Sequence, residues 1–210
     1  MARNLDPKCK QCRREGIKLF LKGEKCFSPK CPLIKRNYPP GAHGPNKKFS
    51  HFSAYGKQLR EKQKAKRSYR LLEKQFKNYY LKSLKSSGDT VENFLRLLEM
   101  RLDNIVYRLG LAGSRDLARQ LINHGHILVN DKKVTIPSYQ VRVGQEIGLK
   151  KKSLEIPQFK EQLDRLKKIE VPGWLSLTPE QSTGKVAALP KKEELALPFD
   201  PTLIIEFYSR

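Results

Sequence analysis

The chain has 210 residues and a formal net charge of +22, from 43 Lys and Arg against 21 Asp and Glu. A chain of this length can bury a core as one large domain or two small ones. It has no apolar run near the roughly 18 residues that a membrane span needs, and MARNLDPKCK lacks the apolar stretch of a secretory signal. We therefore expect a cytosolic protein with reduced thiols.

Positive charge is concentrated in the first part of the chain. Residues 1–90 carry 24 basic and 6 acidic side chains, whereas residues 91–210 carry 19 and 15. Because this much like charge destabilises a compact free protein, it favours binding to a polyanion. Nucleic acid fits better than an anionic membrane surface, since no basic helix has a lipid-facing stripe with Trp anchors.

The four cysteines lie together in KCKQCRREGIKLFLKGEKCFSPKC, with the spacing C-x2-C-x13-C-x4-C. Four thiolates from two knuckles suit one structural, tetrahedral Zn2+ ion. The ion would organise a segment that is too small and polar to fold alone. The neighbouring lysines and arginines are expected to lower the pKa of the thiols. The predicted ligands are Cys9, Cys12, Cys26 and Cys31.

Other interpretations of the cysteines stay open at this point. Disulfides require an oxidising compartment, for which the sequence gives no sign. A CxxC redox site is expected beside a strand–helix unit and not in a lysine-rich loop. Unmetallated structural cysteines and an iron–sulfur cluster are the remaining alternatives.

A Pro/Gly-rich arm, NYPPGAHGPNKKFS, follows at residues 37–50 and is either flexible or laid on a partner. From about Tyr55 to Leu84 the pattern becomes helical. Steps of three and four residues place a row of basic side chains on one face. Glu61 is the only acid from residue 57 to residue 70, so we expect repulsion that phosphate groups would relieve. The row consists of Lys57, Arg60, Lys64 and Arg67.

The next segment predicts two helices and a hairpin. Asp89 offers an N-cap for a helix at about 91–109, with Glu92 completing a capping box. Ser114 caps a second, short helix that ends at Gly125. The apolar residues expected to face the core are Phe94, Leu98, Leu102, Ile105 and Leu109 in the first helix, and Leu117, Ala118, Leu121 and Ile122 in the second.

Polar residues of the second helix form a different face. Arg115, Arg119 and Asn123 are spaced by four and are expected to be exposed. Alternating apolar residues around an Asn130-Asp131 turn then predict a hairpin with Lys132 and Lys133 at or just past its tip. Such an L-shaped basic surface suits a folded RNA that is recognised by its shape and backbone.

The sequence of the last part of the chain has few features that indicate a chemical function. Residues 153–170 are compatible with a charged helix, although Pro157 limits where it can start. The stretch VPGWL and the terminal LIIEFYS are typical of small strands.

The segment MRLDNIVYRLGLAGSRDLARQLINHGHILVNDKKV resembles the RNA-binding domain named after bacterial small-subunit ribosomal protein four. The cysteine module, YPPGAHG, YGKQLREKQKAKR and LIIEFYSR extend the resemblance to that ribosomal protein family over essentially the whole chain. It implies a primary binder of 16S ribosomal RNA that helps to nucleate small-subunit assembly. Relatives lie where messenger RNA enters, influence decoding accuracy, and often repress their own operon. Some lack the cysteines, so zinc is a structural option.

Two other function classes are weighed. Arg101-Leu102-Asp103 is superficially similar to the catalytic triplet of pseudouridine synthases, but only about 60 proline-broken residues follow the domain. Neither a G-x-G-x-x-G nor a P-loop pattern is present, and the four histidines have no metalloenzyme spacing. We therefore expect no enzyme. The second alternative is a standalone zinc-containing RNA-binding regulator.

The sequence thus predicts an α+β, mainly helical protein. Its parts are a zinc-binding basic arm and loop at 1–50, a helical body at 51–90, a helix–helix–hairpin RNA-binding domain at 91–155, and a C-terminal segment at 156–210. The resemblance suggests that the last segment packs back on the helical body. The partners are 16S rRNA, neighbouring small-subunit proteins and possible messenger RNA. The predicted RNA contacts are Arg13, Arg14, Lys47, Lys48, Lys57, Arg60, Lys64, Arg67, Arg70, Arg115, Arg119, Asn123, Lys132 and Lys133.

Overall fold

The computed structural model describes residues 4–46, 52–150, 153, 171–178 and 182–210. Lys47 and Lys48 lie outside these ranges, as does almost all of the helix predicted at 153–170. The chain divides into two compact units, which are residues 1–94 with 196–210, and residues 95–195. None of the helices in the described ranges has the length and apolar character that crossing a membrane requires.

Helices account for most of the elements. The first six are α1 (Lys8–Glu15), α2 (Glu24–Phe27), α3 (Pro32–Lys35), α4 (Ala54–Ser68), α5 (Glu73–Lys85) and α6 (Thr90–Glu99). The second unit continues with α7 (Leu102–Arg108), α8 (Arg115–Asn123), β1 (Ile127–Val129), β2 (Lys132–Lys133), β3 (Glu146–Leu149), β4 (Leu175–Thr178), β5 (Thr183–Val186) and a short 3-10 helix (Lys192–Glu194). The chain ends with α9 (Pro201–Tyr208) in the first unit.

The helix predicted from Tyr55 to Leu84 is two helices, α4 and α5. Ser53 caps α4 through its side chain, as serine commonly does at this position. The break contains Arg70, whose φ of +56° lies in the left-handed region. The buried guanidinium of Arg70 donates to Gln11 Oε1 at 3.2 Å and to the Asn4 carbonyl at 2.7 Å. Contacts with the N-terminal residues therefore help to hold the break.

The strand predicted for LIIEFYS is wrong, because residues 203–208 belong to α9 and Ser209 is its C-cap. Asp200 caps α9 by accepting a hydrogen bond from Thr202 N at 2.9 Å, and Pro201 occupies the first turn. Ile204 is then fully buried. The β-branched and aromatic run favours a strand locally, but the cap and the tertiary packing decide for a helix.

The predicted C-terminal segment is divided between the two units. Residues 196–210 belong to the first unit, where α9 packs along α4. Gln58 donates to Glu206 Oε2 at 2.8 Å, and the backbone N–H of Asp200 donates to Glu61 Oε2 at 2.9 Å. In contrast, β4 and β5 lie in the sheet of the second unit.

The helix predicted at 91–109 is also broken, between α6 and α7. A distant segment pairs with the backbone at the break. The N–H of Val141 donates to the Met100 carbonyl, and the N–H of Leu102 donates to the Tyr139 carbonyl, both at 2.9 Å. These long-range bonds replace the helical bonds that a continuous helix would form there.

The predicted hairpin is confirmed in β1 and β2. Asn130 and Asp131, with φ of +47° and +61°, form the turn, and these residue types tolerate the left-handed region. The five described strands form an antiparallel sheet in the order β2-β1-β3-β5-β4. The hairpin strand β2 therefore lies at one edge of the sheet.

One apolar core fills the second unit. The residues predicted to be buried in the helix at 91–109 are all buried, although Phe94 belongs to the first unit, where it contacts Phe76. Ala118 and Ile122 of α8 are buried as predicted and Leu121 packs against the core, but Leu117 is exposed, so its prediction was wrong. The fold class is confirmed as a mixture of helices and an antiparallel sheet, with helices predominating.

Candidate RNA interface and cysteine cluster

The four cysteines surround one small cavity in the first unit. Cys9 and Cys12 lie on α1, Cys26 lies on α2, and Cys31 immediately precedes α3. The cavity has a volume of about 10 Å³, which is room for about one water-sized sphere. The other residues that line it are Lys8, Leu21, Lys22, Lys25, Pro32 and Leu33. Three short helices thus bring together thiols that are up to 22 positions apart in the sequence.

The four thiols line the cavity without forming disulfide bonds. All four cysteines are free, and within the described ranges no three His, Cys, Asp or Glu side chains are arranged to hold a metal ion. Burial raises the pKa of Cys12, and the other three thiols add to this effect, although a backbone hydrogen bond at Leu19 opposes it. The expected lowering of thiol pKa values by nearby cations is therefore wrong for Cys12.

Arg13 and Arg14 occupy different environments on α1. Arg13 donates to the carbonyls of Tyr38 and Pro39 at 3.0 and 3.2 Å, and its guanidinium lies 4.7 Å from the centre of the Tyr38 ring. Arg13 thereby fastens the Pro/Gly-rich arm to α1. Arg14 is exposed in the last turn of the helix.

The basic row on α4 meets carboxylates from the same unit. Arg60 approaches Glu15 Oε1 at 3.5 Å, and Arg67 forms a short ion pair with the same oxygen. Lys64 pairs with Glu61 at 2.5 Å within the helix. Glu15 is buried, whereas about a quarter of each arginine side chain remains exposed. Each arginine side chain is therefore held by Glu15 but remains partly accessible to solvent.

Glu73 forms a second carboxylate contact for α4. Its two oxygens accept from Lys62 at 2.7 Å and Lys66 at 2.8 Å, and Tyr208 of α9 donates to it at 2.7 Å. Burial opposes ionisation, but these three hydrogen bonds together lower the pKa of Glu73 to about 2. Lys57, at the start of the predicted row, is exposed.

The prediction that charge repulsion on α4 goes largely unrelieved within the protein is corrected by these contacts. Glu15 is 52 positions from Arg67, so a local window could not reveal it, and Glu73 follows α4 outside the stretch of residues 57–70 on which the prediction was based. Burial raises the pKa of Glu15 more than Arg67 and Arg60 lower it. The buried carboxylate is thus a costly anchor for two arginines.

Arg115 and Arg119 of α8 are half-buried rather than exposed as expected. Arg115 Nε donates to Asn104 Oδ1 at 2.8 Å, and its guanidinium lies 4.5 Å from the centre of the Tyr107 ring. Arg119 Nε lies 3.3 Å from Asp103 Oδ2. Residues of α7 therefore fix the orientation of both arginines.

The remaining predicted residues of this surface are exposed. Asn123 ends α8, and Lys132 and Lys133 form the edge strand β2. The stem of Lys133 lies close over Gly125, where an added Cβ would be only 2.1 Å from Lys133 Cε. Gly125 also has a φ of +74°, which ends α8 as predicted. The hairpin thus places Lys133 beside the C-terminal end of α8.

A buried polar network beneath this surface was not foreseen from the sequence. Arg101 forms a two-point ion pair with Asp103, with distances of 3.0 and 2.7 Å, and both side chains are buried. Nearby, Asn104 donates to Glu99 Oε2 at 2.6 Å, and Arg108 donates to both oxygens of Glu99. The available signal was the position of charged residues between core leucines, where an unpaired charge is too costly to bury.

Comparisons with known proteins match both parts of the chain. Residues 3–99 match the family described as the ribosomal protein S4/S9 N-terminal domain, and residues 100–147 match the S4 domain. The chain is 53% identical to small ribosomal subunit protein uS4A of Alkaliphilus metalliredigens. It is 51% identical to the uS4 proteins of Desulforamulus reducens and Thermus thermophilus. Each alignment spans 210 residues and the whole of both chains. The chain belongs to the ribosomal protein S4 family.

Within this family, the S4 domain match covers α7, α8 and the β1–β2 hairpin and reaches into β3. The proteins matched over the full chain are ribosomal, so the chain is a structural component and not an enzyme. The alternatives of a pseudouridine-synthase-type enzyme and a standalone regulator are not favoured. The environment of the Arg101-Leu102-Asp103 triplet is consistent with a protein that is not a pseudouridine synthase, because its two charged residues form a buried ion pair with each other.

Proposed function

We propose that the protein is a structural component of the cytoplasmic small ribosomal subunit and binds 16S rRNA through its basic surfaces. The names of the full-length relatives support the assignment to the small subunit. The net charge of +22 supports a polyanionic partner. As a primary binder, the protein would hold a multi-helix RNA junction in its folded arrangement and nucleate subunit assembly among neighbouring small-subunit proteins.

The observation that carries this proposal is the anchoring of Arg60 and Arg67 on the buried carboxylate of Glu15. Free arginine side chains lose conformational entropy when they bind phosphate. Arginines that are already held by a protein carboxylate lose less, and the accessible quarter of each side chain can still face RNA. Two fixed guanidinium groups on one helix face thus suit the repeated phosphates of an RNA backbone.

The α8 surface is proposed as a second contact region. Asp103 and Asn104 orient Arg119 and Arg115, and the exposed Lys133 lies beside the end of α8. Fixed positive groups combined with mobile lysines suit a shape-based contact with folded RNA. The proposed RNA contacts are those predicted from the sequence apart from Arg70, because its guanidinium is buried against Gln11 and Asn4. Arg13 also serves the fold.

Salt dependence tests the electrostatic part of the proposal. If about 6–10 phosphates are contacted, affinity for 16S rRNA should fall about 10³–10⁵-fold between about 50 and 200 mM salt. Filter binding at several salt concentrations measures the slope. An affinity that hardly changes with salt would exclude binding by phosphate neutralisation.

The α8 surface has its own test. The double variant Arg115→Ala with Arg119→Ala should weaken binding to 16S rRNA and reduce the salt slope, because two phosphate contacts are lost. Arg142→Ala is the matched control, since Arg142 is exposed in the same unit but lies outside the proposed surface. Equal affinities of the double variant and the control would place the interface elsewhere.

Primary binding is tested by chemical footprinting of 16S rRNA with this protein added alone. Protection confined to one multi-helix junction is the expected result, and protection only after other proteins are added would contradict it. Three further roles are part of the proposal as the resemblance implies them, namely contact with messenger RNA, influence on decoding accuracy, and repression of its own operon. Misreading assays and translation of its own message measure the latter two.

We further propose that Cys9, Cys12, Cys26 and Cys31 hold one structural Zn2+ ion. The shared cavity, with room for about one small sphere, and the all-thiol donor set fit a tetrathiolate site. Metal analysis of freshly purified protein should find about one zinc per chain. Visible absorbance with iron would indicate an iron–sulfur cluster instead, and metal-free protein with four titratable thiols would exclude both.

A further inference from the structure

Two phenylalanines form an exposed stack on the cysteine module. The rings of Phe20 and Phe27 are 5.0 Å apart between their centres, with an angle of 29° between their planes. Phe27 is 71% exposed, whereas Leu19 and Leu21 on either side of Phe20 are buried in the small core of the module. The stack therefore presents an aromatic face to solvent while the neighbouring residues hold its base in place.

The backbone at Phe20 is held in an unfavourable conformation. Its φ of +50° lies in the left-handed region, which an aromatic residue rarely adopts. Such strain persists only where the surrounding structure imposes it, and it is concentrated at functional sites. Here the conformation accompanies the contact of Phe20 with Phe27, a ring that stays 71% exposed although its burial would be favourable.

The segment around the stack is basic. Lys22, Lys25 and Lys30 lie within the same short segment as the two rings and are exposed, and Glu24 is its single acidic residue. Exposed aromatic rings among lysines are the combination with which proteins bind unpaired nucleotides. The base stacks on the ring, and the lysines neutralise the phosphates beside it.

We propose that the exposed face of Phe27 stacks on an unpaired base of the RNA that this protein binds. Phe20 supports the platform from below, and Lys25 and Lys30 neutralise the flanking phosphates. The inference rests on the proposed function and adds a single-stranded contact to surfaces that otherwise suit backbone recognition. The basic surroundings favour RNA over an apolar protein partner as the occupant, because an apolar contact gains nothing from several exposed lysines, whereas RNA phosphates do.

Substitution of Phe27 tests the platform with protein-free 16S rRNA as the probe. Phe27→Ala should weaken binding about 5–150-fold, the usual contribution of one base–aromatic stack. Phe27→Leu keeps an apolar side chain but removes the aromatic face, so it should lose a similar amount, whereas Phe27→Tyr should bind normally. Ile34→Ala is the matched control, because Ile34 is an exposed apolar residue of the same module.

A fluorescent variant reports the stack directly. The natural Trp174 is buried in the second unit, so Phe27→Trp adds an exposed reporter. Stacking on a base should quench its emission when RNA binds, and Ile34→Trp should show no such quenching. Circular dichroism of each variant checks that the fold is retained.

The outcomes separate this inference from the proposed function. If the unsubstituted protein does not bind 16S rRNA, the proposed function fails and the platform fails with it. If it binds but Phe27→Ala and the tryptophan reporter respond like the Ile34 controls, only the platform is overturned. If Phe27→Ala binds RNA normally but enters small subunits poorly, the occupant is a neighbouring protein, which also overturns the proposal.

Discussion

The two units of the chain are stabilised in different ways. The second unit has a continuous apolar core built from α7, α8 and the sheet, with Trp174 and Ile105 fully buried. In the first unit, ion pairs also connect separate helices, such as Glu15 of α1 with Arg67 of α4 and Glu73 of α5 with Lys62 of α4. The unit with the larger positive charge therefore joins several of its helices through contacts between carboxylates and cations, in addition to its buried apolar side chains.

The contrast is strongest in the cysteine module. The buried apolar residues of its separate core are Cys12, Leu19 and Leu21, with Ile17 packed against them. So small a core cannot offset the conformational entropy that the segment loses on folding. A strongly charged surface leaves little apolar area to bury, and the proposed metal ion would supply the missing stabilisation by cross-linking the segment.

The largest effect is expected from removal of the proposed metal. Structural zinc contributes roughly 10–16 kcal/mol to the folding of small zinc modules, so a strong chelator should unfold the cysteine module and leave the second unit folded. Hydrogen exchange measures both regions in one experiment. Cys12→Ser should have a similar effect, and chelator should then change little further. Loss of structure in both units at once would contradict the comparison.

Much of the stretch from Asp89 to the β1–β2 hairpin could be predicted from the sequence because its signals are local. Caps at Asp89 and Ser114, the stop at Gly125 and the Asn130-Asp131 turn depend on residues close in the chain, and the structure confirms them. The breaks between α4 and α5 and between α6 and α7 could not be predicted in this way. They are held by contacts with residues that are about 40 to 66 positions away.

The same limit on prediction from local sequence applies to the candidate RNA interface. Spacing along one helix was enough to find the basic row on α4, since residues three and four apart share a face. The carboxylate partner of Arg67 is 52 positions away, and no local pattern indicates it. The orientation of Arg119 by Asp103 likewise depends on the packing of two helices. Sequence therefore identified cations as candidate contacts, and the structure adds what holds them.

In the second unit, the next largest effect should come from Asp103→Asn. This change removes the carboxylate that forms a two-point ion pair with the buried Arg101, and breaking a buried ion pair costs about 3–5 kcal/mol of unfolding free energy. Denaturant unfolding measures the loss. Asp131→Asn is the control, because this exposed turn position tolerates asparagine and should change stability by less than about 0.5 kcal/mol. Similar values for the two variants would show that the polar network does not support the core.

Two glycines have similar backbone conformations but different surroundings. Gly16 and Gly125 have φ of +71° and +74°, so alanine at either should cost about 1–2 kcal/mol. Nothing lies within 4 Å of a Cβ at Gly16, whereas a Cβ at Gly125 meets the end of Lys133. Thermal unfolding should show similar losses for the two variants, but only Gly125→Ala should also weaken RNA binding by displacing Lys133. Equal RNA affinities would separate Lys133 from the interface.

The smallest effect on the unfolding free energy is expected at Glu73, and its dependence on pH is what identifies it. The pKa of Glu73 is lowered to about 2 in the folded protein, against about 4.3 in an unfolded chain. The ionised form therefore stabilises the fold above the unfolded pKa, and this contribution is lost as the pH falls from about 4.3 towards 2. Because Glu73 is 45% exposed, we expect only about 1 kcal/mol after solvent screening.

The measurement is the difference in unfolding free energy between the unsubstituted protein and Glu73→Gln from neutral pH to pH ~2. It should be constant near neutral pH and shrink across the acidic range. Tyr208→Phe removes one of three donors to the carboxylate and should produce part of the effect. Glu193→Gln, an exposed control, should change stability by less than about 0.5 kcal/mol. A difference that grows on acidification would mean that the neutral form of Glu73 stabilises the contact between α5, α4 and α9, opposite to the direction that its three hydrogen bonds require.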